Sequence, residues 1–107
     1  MSTFGKRVRE HRKAKGLTQR ELADLVGINF TYLSKIENDK LEQDQSPRSD
    51  TIESLAQALD ADTDELLLLA RKIPELIKQR VIDRPDVFRK VANLTDQELD
   101  ELLKKMD

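Results

Sequence analysis

The stretch "GINFTYLSKIENDK", residues 27–40, holds the side chains of this chain whose types and spacing can do chemistry. Asn29, Phe30, Thr31, Ser34 and Lys35 bring an amide, an aromatic ring, two hydroxyls and an ammonium group together. At helical spacing they share one side, because residues three and four apart lie one above the other. Leu33 and Ile36 take the opposite side and read as buried. The chemistry on offer is recognition: hydrogen bonds, a cation and a ring face presented to something outside the protein. Bond-making chemistry lacks its parts. The one histidine, His11, has no second histidine and no cysteine at ligand spacing, so it is a poor metal ligand. No nucleophile–base set and no glycine-rich phosphate loop is present. The sequence therefore predicts a chain that is not an enzyme and uses neither metal nor cofactor.

Short helices must position these groups. Thr3 can cap a first helix with Phe4 and Val8 inside, ending at Gly16, a natural residue just past a helix C-terminus. "TQRE", Thr18 to Glu21, is a capping box, in which hydroxyl and glutamate each satisfy the other residue's amide. It starts a helix burying Leu22, Ala23 and Val26, which Gly27 stops after about two turns. Asn29 then caps the helix that carries the recognition face. A polar loop, "NDKLEQDQSPRS", follows. Asp50 with Glu53 is expected to cap a fourth helix (Ile52, Leu55, Ala56, Leu59), and Thr63 a fifth (Leu66, Leu67, Ala70). Pro74 interrupts the pattern, because proline removes a helical donor and fits best in a first turn. Beyond it come apolar stripes at Leu76, Ile77 and Val81, and at Val87, Phe88 and Val91 after Pro85. A second capping box, "TDQE" from Thr95, launches Leu99, Leu102, Leu103 and Met106 at i, i+3, i+4 and i+7. No strand pattern, repeat or low-complexity segment is seen. The fold class is all-α.

Composition sets the bounds. A length of 107 residues means one domain, with room for a tail. At 37% apolar and 37% charged the chain reads as soluble, and with no cysteine it carries no disulfide framework. The longest apolar run, "LLLLA", is too short for a bilayer, and no signal-peptide segment is seen, so a cytoplasmic location without membrane contact is expected. The net charge of −2 looks wrong for binding a polyanion, but its distribution does not. Residues 1–40 hold nine Lys/Arg against five Asp/Glu, net +4. Residues 41–70 carry −7 and residues 71–107 carry +1. The basic segment is the one with the recognition face.

Two short helices joined by a glycine turn have the geometry of a helix-turn-helix. "GLTQRELADLVGINFTYLSKIENDK" resembles the DNA-binding core of the phage-repressor (Cro-like, xenobiotic-response-element) family, over roughly residues 4–70. The resemblance rests on Ala23 where the two helices touch, glycine at the turn, and "TQ" and "KIEN" in place. It implies a five-helix repressor-like DNA-binding domain over 1–70, with a helical tail over 71–107. In such proteins the second helix of the pair lies in the major groove. The resemblance therefore makes Asn29, Phe30, Thr31, Ser34 and Lys35 the expected base contacts. Lysine can donate to guanine O6/N7, and a methyl or ring can pack on a thymine methyl. For Phe30 the alternative is folding back on the turn between the helices. Gln19, Asn38 and Lys40 match phosphate-clamping positions. Tyr32 reads as a phosphate donor or a packing residue, and Arg48 as a phosphate or minor-groove contact. Arg12 and Glu37 match a pair bridging the first and third helices, expected to be partly buried and to set the reading helix's angle.

The chain departs from the family pattern in two places. Asp39 stands where glycine usually follows "EN", and the loop up to Pro47 is longer and carries Glu42 and Asp44. Acids cost affinity near phosphates, so the loop is expected to swing clear or to meet a protein. The three tail stripes each need a partner. Pairing with a second chain, through Leu99, Leu102, Leu103 and Met106, is preferred over folding back on the core. A homodimer would read a palindromic operator with half-sites about 34 Å apart. The tail also resembles, more loosely, the extension on small repressors encoded beside zinc metalloproteases. The reading is a sequence-specific transcriptional repressor binding double-stranded DNA with the helix 29–38. The rival is an antitoxin or interaction module that sequesters a toxin or other protein through its tail.

Overall fold

The structure is a computed structural model that describes residues 3–107. It is all-helical: α1 Phe4–Ala14, α2 Gln19–Val26, α3 Phe30–Glu37, a 3-10 turn Gln43–Gln45, α4 Ser49–Leu59, α5 Thr63–Leu69, α6 Glu75–Asp83, α7 Pro85–Ala92 and α8 Asp96–Met106. The chain divides into two compact units, Met1–Pro74 and Glu75–Asp107.

The first unit closes a core of its own. Val8, Leu22, Ala23, Leu33, Ile36, Ile52, Leu55, Ala56, Leu59, Leu66 and Leu67 are buried together. Each such Leu, Ile or Val side chain contributes about 1.5–3 kcal/mol by leaving water. Phe4, Val26 and Ala70, expected inside, are half-buried at its margin. α1 packs on α3, α4 and α5, α2 packs on α3 and α4, and α4 packs on α5. The approach of α1 to α3 depends on Gly5, where a Cβ would collide with the Ile36 carbonyl.

Two of the expected caps are corrected. α4 begins at Ser49, with Arg48 as N-cap and no side-chain cap. Asp50 sits inside the first turn, where its charge meets the helix dipole and its Oδ1 accepts from the Thr51 amide at 2.8 Å. The chain leaves buried Pro47 already extended, so the helix opens before Asp50 is reached. At α5 the cap is Asp62, not Thr63: its Oδ1 accepts from the Asp64 and Glu65 amides at 2.9 and 3.3 Å. A carboxylate one residue earlier outcompetes a hydroxyl, because charge-assisted hydrogen bonds are the stronger. Thr3, Thr18, Asn29 and Thr95 cap their helices as the sequence predicts.

The second unit is built from α6, α7 and α8, of which α6 and α7 pack on each other. Pro85 occupies the first turn of α7, and Thr95 with Glu98 completes both hydrogen bonds of its capping box. No side chain of the three helices is buried. Phe88, Val91, Leu94 and Leu99 are half-buried, whereas Leu76, Ile82, Leu103 and Met106 stand open to solvent. No helix among the described residues is long and apolar enough to cross a membrane.

Candidate nucleic-acid interface

The site is made by α2, α3 and the three residues between them. Thr18 Oγ1 accepts from the Glu21 amide at 3.1 Å, and Glu21 Oε1 accepts from the Thr18 amide at 2.9 Å. The Thr18 amide, and after it the Thr18 hydroxyl, hold the Glu21 carboxyl below its ordinary range. Gly27 ends α2 at φ 77°, a left-handed turn that a side chain would strain. Asn29 then restarts the chain, its Oδ1 accepting from the Thr31 amide at 2.7 Å.

The orientation of α3 is fixed from behind. Arg12 Nε and Nη2 donate to Glu37 Oε2 and Oε1 at 2.8 and 2.9 Å, a two-pronged pair whose carboxylate is fully shielded from solvent. Arg12 Nη1 also donates to the Leu17 carbonyl at 2.8 Å, and Gln19 Nε2 donates to Glu37 Oε1 at 3.1 Å. One buried carboxylate thereby ties α1, the α1–α2 turn and the start of α2 to the end of α3. Asp39, where the sequence departs from the family's glycine, adopts φ 55°. Its Oδ2 accepts from Thr3 Oγ1 at 3.0 Å, which joins the end of α3 to the start of α1.

In front, Phe30, Thr31 and Lys35 are exposed on one side of α3, with Asn29 ahead of them and Ser34 half-buried. Asn38 and Lys40 are exposed beyond the helix end, and Asn38 Nδ2 donates back to the Ser34 carbonyl at 2.8 Å. A cleft of about 640 Å³ opens beside this face, between the start of α2 and α3. Arg9, Gln19, Arg20, Phe30 and Asn38 line it. Its one acid, Glu37, is neutralised by Arg12, so Arg9 and Arg20 make it cationic. The amides at the start of α2 add their partial positive charge.

Several expected positions have a different setting from the one their residue types imply. Gln19 lines the cleft, but its side-chain amide already serves Glu37. Tyr32 donates its only O–H to the Gln45 carbonyl at 2.9 Å, and burial pushes its phenol up from the ordinary range. That bond pins the long loop to α3, and Glu42 and Asp44 remain exposed on it. Arg48 is exposed at the start of α4, and no hydrogen bond or ion pair among the described residues ties it to α3. Phe30 turns one face to Arg20, whose guanidinium carbon lies 4.4 Å from the ring centre. Sequence reasoning passed over Arg9 and Arg20. The available signal was that the first turn of α2 faces the start of α3 across a single glycine turn. Among the described residues, no group of three His, Cys, Asp or Glu side chains could hold a metal ion.

Comparison with known proteins places this geometry. Residues 8–66 match the sequence model of the family described as helix-turn-helix. A protein of Bacillus subtilis (strain 168), described as the uncharacterised HTH-type transcriptional regulator RghRB, is 39% identical over 82 residues. That match takes in 74% of this chain but 57% of the relative, so the chain spans little more than half of that protein's length. Among solved structures, SinR, the master regulator for biofilm formation, in complex with DNA superposes with a TM-score of 0.54 at 32% identity. The match covers 61% of this chain and 98% of that one. The restriction-modification controller protein C.AhdI from Aeromonas hydrophila gives a TM-score of 0.52 at 40% identity, covering 59% of this chain and 89% of its own.

Proposed function

The chain belongs to the Cro-like helix-turn-helix family, and on that premise we propose that it is a sequence-specific DNA-binding transcriptional regulator that represses from a palindromic operator. α3 enters the major groove. Asn29, Phe30, Thr31, Ser34 and Lys35 face base edges. Asn38, Lys40 and the amides at the start of α2, Gln19 included, face phosphates on either side. The observation that carries the reading is the contrast between the two sides of α3. Behind, a fully shielded carboxylate fixes the helix, and in front, a mixed polar and cationic face is left open. That expenditure of buried charge on orienting one helix has a purpose if the helix must meet an external surface in one register.

The C-terminal unit supplies the second half-site by pairing two copies through Leu99, Leu102, Leu103 and Met106. Its helices bury no side chain by themselves, which supports pairing with another chain. A single module makes few base contacts, whereas two related by symmetry double them.

The test is fluorescence anisotropy on duplex DNA from upstream of the chain's own gene and on a scrambled duplex of equal length, across a salt series. The expected result is a preference for the upstream duplex that Lys35→Ala reduces by about 1–3 kcal/mol without altering the melting temperature. Equal, steeply salt-dependent binding to both duplexes would reduce the face to a non-specific cationic surface.

A further inference from the structure

Arg20 has no place in the reading above, yet it lines the cleft that opens beside the α3 face. Its guanidinium carbon lies 4.4 Å from the centre of the Phe30 ring, and both residues line the same cationic cleft. Among the described residues its N–H groups have no carboxylate and no hydrogen-bond acceptor, although arginine carries five donors. Two arginines of α1 can be set against it. Arg7 is bound to Glu65 and Glu10, and Arg12 to Glu37. Phe30 is equally out of place as a packing residue: at the first position of α3 it keeps 37% of its surface exposed, whereas Leu33 and Ile36 on the same helix are buried. What covers one face of the ring is a cation. Attraction to the ring quadrupole holds the guanidinium in place without using up its donors.

We propose that Arg20, steadied by Phe30, is a specificity-determining residue that donates to the O6 and N7 acceptors of a guanine beside the pairs read by α3. The proposal rests on the DNA-binding reading and adds a base contact from α2, the helix that crosses the backbone in this docking geometry. The first residues of the reading helix are those nearest the base edges. A guanidinium above the first of them is therefore carried away from the phosphates and towards the groove floor. Guanine is the base that matches, because its major-groove edge presents two acceptors side by side and a guanidinium can meet both. Phe30 acts as a positioning residue: it narrows the orientations a long side chain samples before DNA arrives, so less freedom is lost on binding.

The experiment uses the full chain and a duplex that it selects from a randomised double-stranded pool. Each base pair of that duplex is then replaced in turn, and binding is measured for the parent, Arg20→Ala, Arg20→Lys, Phe30→Leu and Lys35→Ala across a salt series. The parent is expected to lose about 10-fold or more on replacement of one particular G·C pair. Arg20→Ala should abolish that preference and leave preferences elsewhere intact. Arg20→Lys should recover it only in part, since an ammonium is not a two-pronged donor. Phe30→Leu should weaken it while thermal unfolding stays at the parental temperature, and Lys35→Ala should relax a different base pair. Uniform weakening by Arg20→Ala across all duplexes, with the salt slope reduced by about 1, would make Arg20 a phosphate contact and overturn the proposal. Failure of the underlying reading looks different: the parent then selects no sequence, and Lys35→Ala changes nothing either.

Discussion

The two units of this chain solve the burial problem in opposite ways. Residues of the first unit close a core around Leu22, Leu33, Ile52, Leu55 and Leu66, each fully buried, and even spend a buried ion pair on the angle of one helix. The second unit also has apolar stripes, and a full capping box at Thr95, yet none of its side chains is buried. Size explains the difference. Segments under about 40 residues rarely bury enough apolar surface to stand alone without disulfides, metals or oligomerisation. The second unit falls in that range and the chain has no cysteine. An amphipathic helix therefore shows that a surface will be covered, not by what. In the first unit the covering surfaces lie in the same chain, and in the second we propose that another copy supplies them.

That contrast can be broken at its strongest point first. Glu37→Ala leaves the Arg12 guanidinium in a largely closed site without its partner. Removing one member of a buried pair costs about 3–5 kcal/mol. For a domain of this size the melting temperature, followed by circular dichroism, should fall by more than about 10 °C. DNA affinity should fall with it, because α3 loses its anchor. Parental melting would mean that the pair is a surface ornament and the first unit is held by its core alone.

The second unit offers a complementary test. Leu102→Lys combined with Leu103→Lys places charge on the open face of α8 without touching any buried residue of the first unit. Self-association measured by sedimentation equilibrium should weaken by about 100-fold or more, from the apolar burial lost in both copies. Thermal unfolding of the first unit should not move. A dimer that survives this change would place the pairing surface elsewhere.

Acid gives a smaller effect that both units share. Glu21 and Glu98 are held below the ordinary carboxylate value of 4.5, each mainly by the amide of its capping threonine. Glu65 is held low mainly by the Arg7 guanidinium. Their folded forms bind fewer protons than the unfolded chain between the lowered and the ordinary values. The stabilisation is thus complete above about pH 4.5 and is lost as pH falls through the lowered values. Melting temperatures should be flat from neutral pH to about 5 and decline below it. Glu21→Gln and Glu98→Gln, which remove the titrating carboxyl, should each blunt that decline, one in each unit.

What could be read from the sequence was local or periodic. The capping boxes at Thr18 and Thr95 span three residues, and the core positions of α2 to α5 recur at helical spacing, so both need only the chain itself. Competition between neighbours was harder to read. Asp62 displaced Thr63 as a cap because two acceptors one residue apart differ in charge, and Pro47 started α4 before Asp50. Contacts between distant residues were least legible. Nothing in the spacing of Tyr32 and Gln45, or of Thr3 and Asp39, foretells a bond, since each depends on how helices and loops come to rest. The Arg12–Glu37 pair was the exception, and there the resemblance to a family carried the information.

The most direct test of the account is a hydroxyl-radical footprint of the full chain on a duplex that it selects from a randomised pool. Reading by α3 and pairing by the second unit together predict two symmetric protected stretches, centred one helical turn or a whole multiple of about 34 Å apart. A single protected half-site at saturating protein, or protection spread evenly along the duplex, would contradict it.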